Sequence, residues 1–378
     1  MMLPVTSLPR VLWQYVASWL QGDRALIRLR ATCRWLRRVE IHRLPDDMEC
    51  RLTPERLDTV AATLLHLNIC GCKDITNEMM QRCTNLKWLD ASHTNVTWFP
   101  STLRRLDIHK RDDVTNEMLQ DAFQIGTLKW LNASHTNVTW FPSTLRHLDI
   151  RGCMDVTNEM IQKCTQLELL DAGCTNVTWF PSTLRHLDIR KCDDVTNEML
   201  QKSFQYGTLE ELFVSWTNIT WFPSTLRRLD ISGCKNVTNE MLQGCVNLEW
   251  LDASFTTITW FPPTLRHLDI DGNKNITNEI LQDAFQSGTS RQVGTLEWLR
   301  ASWTNITWFP PTLRHLVIFG CKNVTNEMIQ SCNRIEWLNV SHTNVTWFPP
   351  ILHHLDIRGR KDITNEMLAH LKNCKIIR

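Results

Sequence analysis

Residues 144–162 read TLRHLDIRGCMDVTNEMIQ, and almost the same stretch returns at residues 183–201 (TLRHLDIRKCDDVTNEMLQ) and 225–243 (TLRRLDISGCKNVTNEMLQ). A second, shorter motif lies between these copies and is represented by LKWLDASHTNVTWFPST at residues 86–102. Both motifs contain Leu-x-x-Leu-x-apolar, a pattern in which alternate side chains of a strand enter a core. A single unit of this kind cannot bury its apolar side alone, so the repetition predicts that the units stack side by side.

The central leucine of each copy marks one predicted strand, which gives fifteen strands in all. Eight leucines belong to the longer motif: Leu67, Leu106, Leu148, Leu187, Leu229, Leu268, Leu316 and Leu355. Seven belong to the shorter motif: Leu89, Leu131, Leu170, Leu212, Leu251, Leu299 and Leu338. We therefore predict an α/β fold in which parallel strands line one side of a curved solenoid.

The two motifs predict different connections behind the strands. In the longer motif Thr-Asn-Glu-Met begins a short helix, because Thr is a good N-cap and Glu suits the positive end of a helix dipole. The shorter motif ends in Thr-Trp-Phe-Pro, where Pro prevents a helix and restrains the Phe before it. The recurring tryptophan of this turn is expected to form an internal ladder rather than a ligand-binding strip. Its copies are Trp98, Trp140, Trp179, Trp221, Trp260, Trp308 and Trp347.

Composition limits the classes of function. The chain has 378 residues, 43% of them hydrophobic, and a formal net charge of +1, so overall charge does not favour nucleic acid or an anionic membrane as partner. No apolar run is long enough to span a bilayer, and Pro4, Pro9 and Arg10 interrupt the opening, so we expect no transmembrane segment and no cleaved leader. Many of the 14 cysteines recur at two repeat positions, which favours small buried thiols in a reducing compartment, the cytoplasm or the nucleus.

Catalytic and metal chemistry is not expected. The DASHT stretch at residues 90–94 is an element of the repeat, and neighbours on one strand cannot form a Ser-His-Asp relay. Cys70 and Cys72 lack the second pair that a zinc site requires, and no phosphate-binding glycine loop is present. The sequence therefore predicts a protein that is not an enzyme and that needs no cofactor or metal.

Residues 1–43 do not share the period and predict a small helical domain. Apolar residues recur at helical spacing there, and eight arginines face only Asp23 and Glu40, so an acidic partner is expected. Residues 44–63 are assigned as a linker and amino-terminal cap, and residues 64–378 as the repeat domain. Basic helices of this kind also suit nucleic acid or a membrane surface, although the predicted partners include neither.

Two resemblances to known families cover nearly the whole chain. The Leu8-Pro9 opening, the helix from Val16 to Leu20, and LRATCRWLRR at residues 29–38 resemble an F-box. The longer motif, with its strand, Cys, Val-Thr-Asn and helix, resembles the cysteine-containing leucine-rich repeat. The order of the two is that of F-box/leucine-rich-repeat proteins.

The resemblance implies a substrate-recognition subunit of a Skp-cullin-F-box ubiquitin ligase. Its amino-terminal helices would dock on a Skp-type adaptor of the cullin complex, and its repeats would hold a protein substrate. The F-box positions that would face the adaptor or pack in the core are Leu8, Pro9, Leu12, Val16, Leu20, Leu29 and Trp35. One alternative is a non-enzymatic scaffold or recognition module whose first helices only cap the repeats; another is a secreted receptor with occupied Asn-x-Thr sites.

The concave face of the predicted sheet is the expected binding surface. Outward positions alternate Arg or His in the longer motif with Trp in the shorter one, followed two residues later by a row of Asp and Asn. These side chains either bind a partner or only pack on and neutralise one another. Departures from the repeat cluster between residues 209 and 320, which is the predicted contact zone. The candidate substrate-binding residues are Glu211, Phe213, Trp216, Arg228, Trp250, Phe255, Trp298, Arg300, Trp303 and Phe319.

Overall fold

A computed structural model describes Leu57 and residues 61–286 and 296–378. The predicted F-box-like domain, including all its candidate adaptor-binding residues, lies outside the described residues. The chain divides into two compact units, Met1–Val177 and Thr178–Arg378.

The described part of the first unit is a run of short parallel strands joined by short helices or extended turns. A 3₁₀ turn (Ala61–Thr63) precedes it. The strands are β1 (His66–Asn68), β2 (Trp88–Asp90), β3 (Arg105–Asp107), β4 (Trp130–Asn132), β5 (His147–Asp149) and β6 (Leu169–Asp171). The helices are α1 (Asn77–Gln81), α2 (Asn116–Phe123) and α3 (Asn158–Gln162). Each strand pairs in register with the next one along the chain, as in the parallel arrangement predicted above.

The second unit continues the same pattern within its own boundaries. Its strands are β7 (His186–Asp188), β8 (Glu211–Phe213), β9 (Arg228–Asp230), β10 (Trp250–Asp252), β11 (His267–Asp269), β12 (Trp298–Arg300), β13 (His315–Val317), β14 (Trp337–Asn339), β15 (His354–Asp356) and β16 (Lys375–Ile377). Its helices are α4 (Asn197–Phe204), α5 (Asn239–Leu242), α6 (Asn278–Phe285), α7 (Asn326–Gln330) and α8 (Asn365–Leu368). These strands also pair parallel and in sequence order. All fifteen predicted strands are present, and β16 adds one more at the carboxy-terminal segment.

The core is built from the repeated leucines and from the phenylalanine of each extended turn. The central leucine of each predicted strand is fully buried, as Leu89 and Leu268 show. The prediction of an internal tryptophan ladder was wrong in one respect. Phe99 is buried in its turn whereas Trp98 beside it is only half-buried, and the later copies repeat this difference. The smaller ring fits the close-packed interior, and the indole beside it stays partly exposed.

An asparagine at the start of most helices joins the two motifs. The Oδ1 atom of Asn77 accepts hydrogen bonds from the backbone N–H groups of Thr97, at 2.8 Å, and Trp98, at 3.0 Å. Its Nδ2 atom donates to the hydroxyl of Thr97 at 2.9 Å. Thr76 caps the same helix from the preceding position. Asn116, Asn197, Asn239, Asn278 and Asn326 make the same three bonds, so each ties a helix to the extended turn of the following motif.

Most described cysteines are free and buried, as predicted. The Sγ of Cys153 donates to the carbonyl of Ala133 at 3.1 Å, and burial raises the pKa of this thiol. Burial also raises the pKa of Cys164 to about 11, so that thiol stays neutral. Cys70 and Cys174 are exposed exceptions.

Candidate functional site

The first residue of each strand lies on the open face of the sheet, and in the second unit several of these side chains stack on one another. The indole of Trp250 lies 5.2 Å from the His267 ring, which in turn stacks on Trp298 at 3.5 Å between ring centroids. Desolvation, Arg228 and Arg300 together lower the pKa of His267 to about 3, so this ring is neutral between two indoles. The predicted alternation of Arg or His with Trp is therefore confirmed, and much of it is used for internal stacking.

Glu211 and Phe213 anchor one end of this stack. Phe213 stands where most copies carry Asp or Asn, and its ring centroid lies 5.1 Å from His186 and 5.9 Å from Trp250. The Arg228 guanidinium lies 5.3 Å from the Trp250 ring centroid and 3.6 Å from a Glu211 oxygen. These cation–π and ion-pair contacts hold the four candidate side chains in one group.

Three further candidates lie in the turns that follow the strands. Trp216, Phe255 and Trp303 remain 53%, 56% and 56% exposed, although each is a large hydrophobic residue. Their backbones adopt positive φ angles of 60°, 56° and 61°, which are unfavourable for bulky side chains. We call these three residues the turn aromatics.

A glycine in the next strand's turn lies under each turn aromatic. A Cβ atom added at Gly233 would lie 2.7 Å from the Trp216 ring, and the same test at Gly320 gives 2.7 Å to the Trp303 ring. One ring face is thus covered by backbone and much of the remaining surface is open to solvent. The Phe319 ring lies 5.0 Å from Trp303 and 5.0 Å from His342, which extends this exposed aromatic surface.

Carboxylates crowd the strand ends beside these rings. Asp230, Asp252 and Asp269 are register partners on adjacent strands, and burial together with neighbouring carboxylates raises the pKa of each, that of Asp269 to about 7. Arg300 departs from the repeat at this position and lies 2.7 Å from Asp271 and 3.4 Å from Asp269. The alternative in which the outward side chains only pack on and neutralise one another therefore accounts for this part of the second unit incompletely.

Nine of the ten candidate substrate-binding residues thus fall into two sets on the second unit. The stacked set on the sheet comprises Glu211, Phe213, Arg228, Trp250 and Trp298, while the turn aromatics and Phe319 form the more exposed set. Arg300 is held in the carboxylate group. Val317, which also departs from the repeat, is buried.

Comparisons with known proteins identify the repeat but not a particular relative. A family model described as Leucine Rich repeat matches residues 261–283, and each unit has the parallel, in-register architecture of such repeats. The match and the architecture thus assign a leucine-rich repeat to residues 261–283, and the fold of each unit repeats that arrangement. No curated protein matches it.

Solved structures resemble the chain only distantly. An internalin (InlF) from Listeria monocytogenes is 15% identical with a TM-score of 0.44, and the match covers 95% of this chain and 96% of the internalin. The functional domain of InlJ from Listeria monocytogenes is 16% identical with a TM-score of 0.47, covering 81% of this chain and 74% of that one. A leucine-rich-repeat protein from Leptospira interrogans is 15% identical with a TM-score of 0.42, covering 87% and 99%.

No helix in residues 61–286 or 296–378 has the length and apolar character needed to cross a membrane. Over the same ranges, no group of three or more His, Cys, Asp or Glu side chains is placed to hold a metal ion.

Proposed function

We propose that this chain is the substrate-recognition subunit of a Skp-cullin-F-box type ubiquitin ligase and that it holds a protein substrate on the second unit. The repeats contribute binding and no catalysis, since ligation belongs to the partner enzymes. The adaptor half of the proposal rests on the F-box resemblance of residues 8–38, and the substrate half rests on the surface described above.

The observation that carries the substrate half is the exposure of the turn aromatics. Burying a large aromatic side chain contributes about 1.5–3 kcal/mol, so leaving Trp216, Phe255 and Trp303 half open forgoes much of that stabilisation. Their positive φ angles add a further cost at each site. A partner that covers these rings recovers the apolar burial, and Trp is among the residue types that most often dominate protein interfaces.

Alanine at Phe213, Trp303 and Phe319 tests the substrate half. The triple variant is expected to lose capture of the specific partner, measured by quantitative mass spectrometry after affinity purification of the full chain, while its circular dichroism spectrum is unchanged. A matched control places alanine at the same repeat positions of the first unit, Asp171, His135 and His109, and is expected to retain the partner. Equal partner recovery from both variants would remove this binding surface from the proposal.

Alanine at Leu8, Pro9 and Leu12 tests the adaptor half. The wild-type chain is expected to bind a purified Skp-type adaptor, and this variant is expected to lose it while still capturing the substrate. Substrate capture without any adaptor binding by the wild type would instead favour the second candidate, a recognition scaffold whose first helices only cap the repeats.

A further inference from the structure

The residues immediately before strands β2 to β14 form a row of charges along the strand entrances. In the second unit this row alternates Arg and Glu, and the pairs make salt bridges between adjacent strands. Their closest nitrogen–oxygen distances are 2.6 Å for Arg185–Glu210, 3.2 Å for Arg227–Glu249, 3.3 Å for Arg266–Glu297 and 2.6 Å for Arg314–Glu336. Each cation of this row, from Arg185 to Arg314, therefore has a carboxylate beside it.

The first unit breaks this alternation. Lys87 and Lys129 occupy the positions where the other shorter motifs carry Glu, and Arg104 lies between them. Backbone bonds from the Arg104 N–H to the Lys87 carbonyl, at 2.8 Å, and from the Lys129 N–H to the Arg104 carbonyl, at 2.9 Å, fix the three on adjacent strands. Within the described residues, none of these three side chains makes an ion pair or a hydrogen bond. We call Lys87, Arg104 and Lys129 the basic entrance row.

The surface around the basic entrance row is a depression rather than a flat face. It encloses about 590 Å³ lined by the three cations together with Thr102, Thr127 and Ile125. The Ile125 side chain is 89% exposed at its edge. The hydroxyl hydrogens of Thr102 and Thr127 are already donated to backbone carbonyls, so positive charge and one apolar side chain dominate the depression.

We infer that the basic entrance row binds an acidic segment of a partner protein, whose carboxylates take the places that Glu occupies in the other repeats. The neighbouring strand entrances indicate which group these cations bind. On the next pair of strands, Arg146 forms a salt bridge with Glu168 at 2.8 Å. Arg and Lys pair well with carboxylates, and the exposed Ile125 provides a contact for an apolar residue within the acidic segment. This surface lies in the first unit, and the inference does not depend on the proposed substrate surface of the second unit.

The ion pairs between the basic entrance row and the partner's carboxylates would lie at an exposed surface. Exposed ion pairs are individually weak, so three of them support a binding constant that weakens with added salt. The interaction is therefore a rim contact that orients a partner and increases its association rate, rather than an apolar hot spot.

Replacing Lys87 and Lys129 by glutamate, which the other shorter motifs carry at this position, tests the inference. In fluorescence anisotropy with the full chain and a labelled glutamate-rich peptide that contains one leucine, the double variant Lys87→Glu, Lys129→Glu is expected to bind at least about tenfold more weakly. Its thermal unfolding is expected to be unchanged, because the two new carboxylates can pair with Arg104 as their counterparts do elsewhere. The neutral variant Lys87→Gln, Lys129→Gln is expected to weaken binding by about threefold to tenfold, which separates lost attraction from added repulsion.

A matched gain-of-binding variant uses the second unit. Glu210→Lys with Glu249→Lys creates an unpaired basic row there and is expected to add a second binding site for the same peptide. Unchanged peptide affinity in both Lys87/Lys129 variants would overturn the inference. So would tighter binding of a single-stranded RNA oligonucleotide that depends on Lys87 and Lys129, since it would assign this row to nucleic acid.

Discussion

The two units share one backbone repeat and carry opposite charge imbalances. Among the described residues of the first unit, the strand entrances from Lys87 to Lys129 hold cations without a carboxylate partner. In the second unit the entrances are paired, while the strand ends crowd Asp230, Asp252 and Asp269 beside exposed aromatic rings. Both units contain the buried central leucines, the buried phenylalanine of each extended turn and the bridging asparagine. The difference shows that this repeat fixes the backbone with few positions and leaves the outward positions free to define separate surfaces.

The largest effect is expected from returning Arg300 to the repeat's usual Asp. Arg300→Asp removes the cation next to Asp269 and Asp271 and adds a further carboxylate, so the free energy of unfolding at pH 7 is expected to fall by about 3 kcal/mol. Urea unfolding followed by tryptophan fluorescence measures the change. The neutral Arg300→Met variant is expected to lose about half as much, and equal losses would show that repulsion among the carboxylates contributes little.

A smaller effect is expected from the opposing titrations of Asp269 and His267. The pKa of Asp269 is raised to about 7, so its stabilising contribution is lost as pH rises from about 4 to 7. The pKa of His267 is lowered to about 3, so its contribution is lost as pH falls from about 6.5 to 3. The two largely offset each other between pH 4 and 6.5. Asp269→Asn is expected to leave stability rising with pH by about 2 kcal/mol across that window, and His267→Phe to leave it falling by a similar amount.

The first unit provides the control for this titration. The Arg111 guanidinium lowers the pKa of Asp113, so that carboxylate loses its stabilising contribution only as pH falls below its ordinary value of 3.8. Asp113→Asn is therefore expected to leave the stability profile unchanged between pH 5 and 7. A slope over that range that differs between the Asp113 variant and the wild type would contradict the contrast between the two units.

The smallest effect concerns a turn in which arginine replaces the repeat's cysteine. Arg111 is only 2% exposed and donates to the Ala91 and Val96 carbonyls as well as to Asp113. In Arg111→Cys the thiol is expected to reach the Ala91 carbonyl, as Cys153 reaches Ala133, so the loss of stability is about 1 kcal/mol. Arg360→Cys makes the same exchange in the second unit and is expected to cost no more, and the urea midpoints of the two variants provide the comparison.

The sequence predicts the fold in detail because its signals are local and repeated. The central leucines predict every strand of the two motifs, and Thr76 and its counterparts predict where the helices begin. The sequence did not predict the bonds of Asn77, because they join residues about twenty positions apart and the helix cap already explained an Asn beside Thr. The tryptophan ladder failed for a related reason: adjacent Trp and Phe are both apolar, and only packing volume decides which one is buried.

The candidate site could be predicted in part. Departures from the repeat identified Phe213, Trp303 and Arg300, and the structure places them on one unit, although their role in binding stays a prediction. The pattern of the outward strand positions does not reveal the basic entrance row, because Lys87, Arg104 and Lys129 lie one residue before those positions. Aligning Lys87 and Lys129 with the glutamates of the other copies would have found it.

The asparagine bridge also limits how such a chain can grow or shrink. Since Asn77 serves the motif that follows it, one longer motif and the next shorter one form a single heritable module, and their gain or loss is expected to occur in pairs of strands. Deletion of one motif alone would leave either an amide without its backbone partners or an extended turn without its anchor. We therefore expect this chain to vary in length by modules of two strands, so that each bridging asparagine keeps the extended turn that it binds.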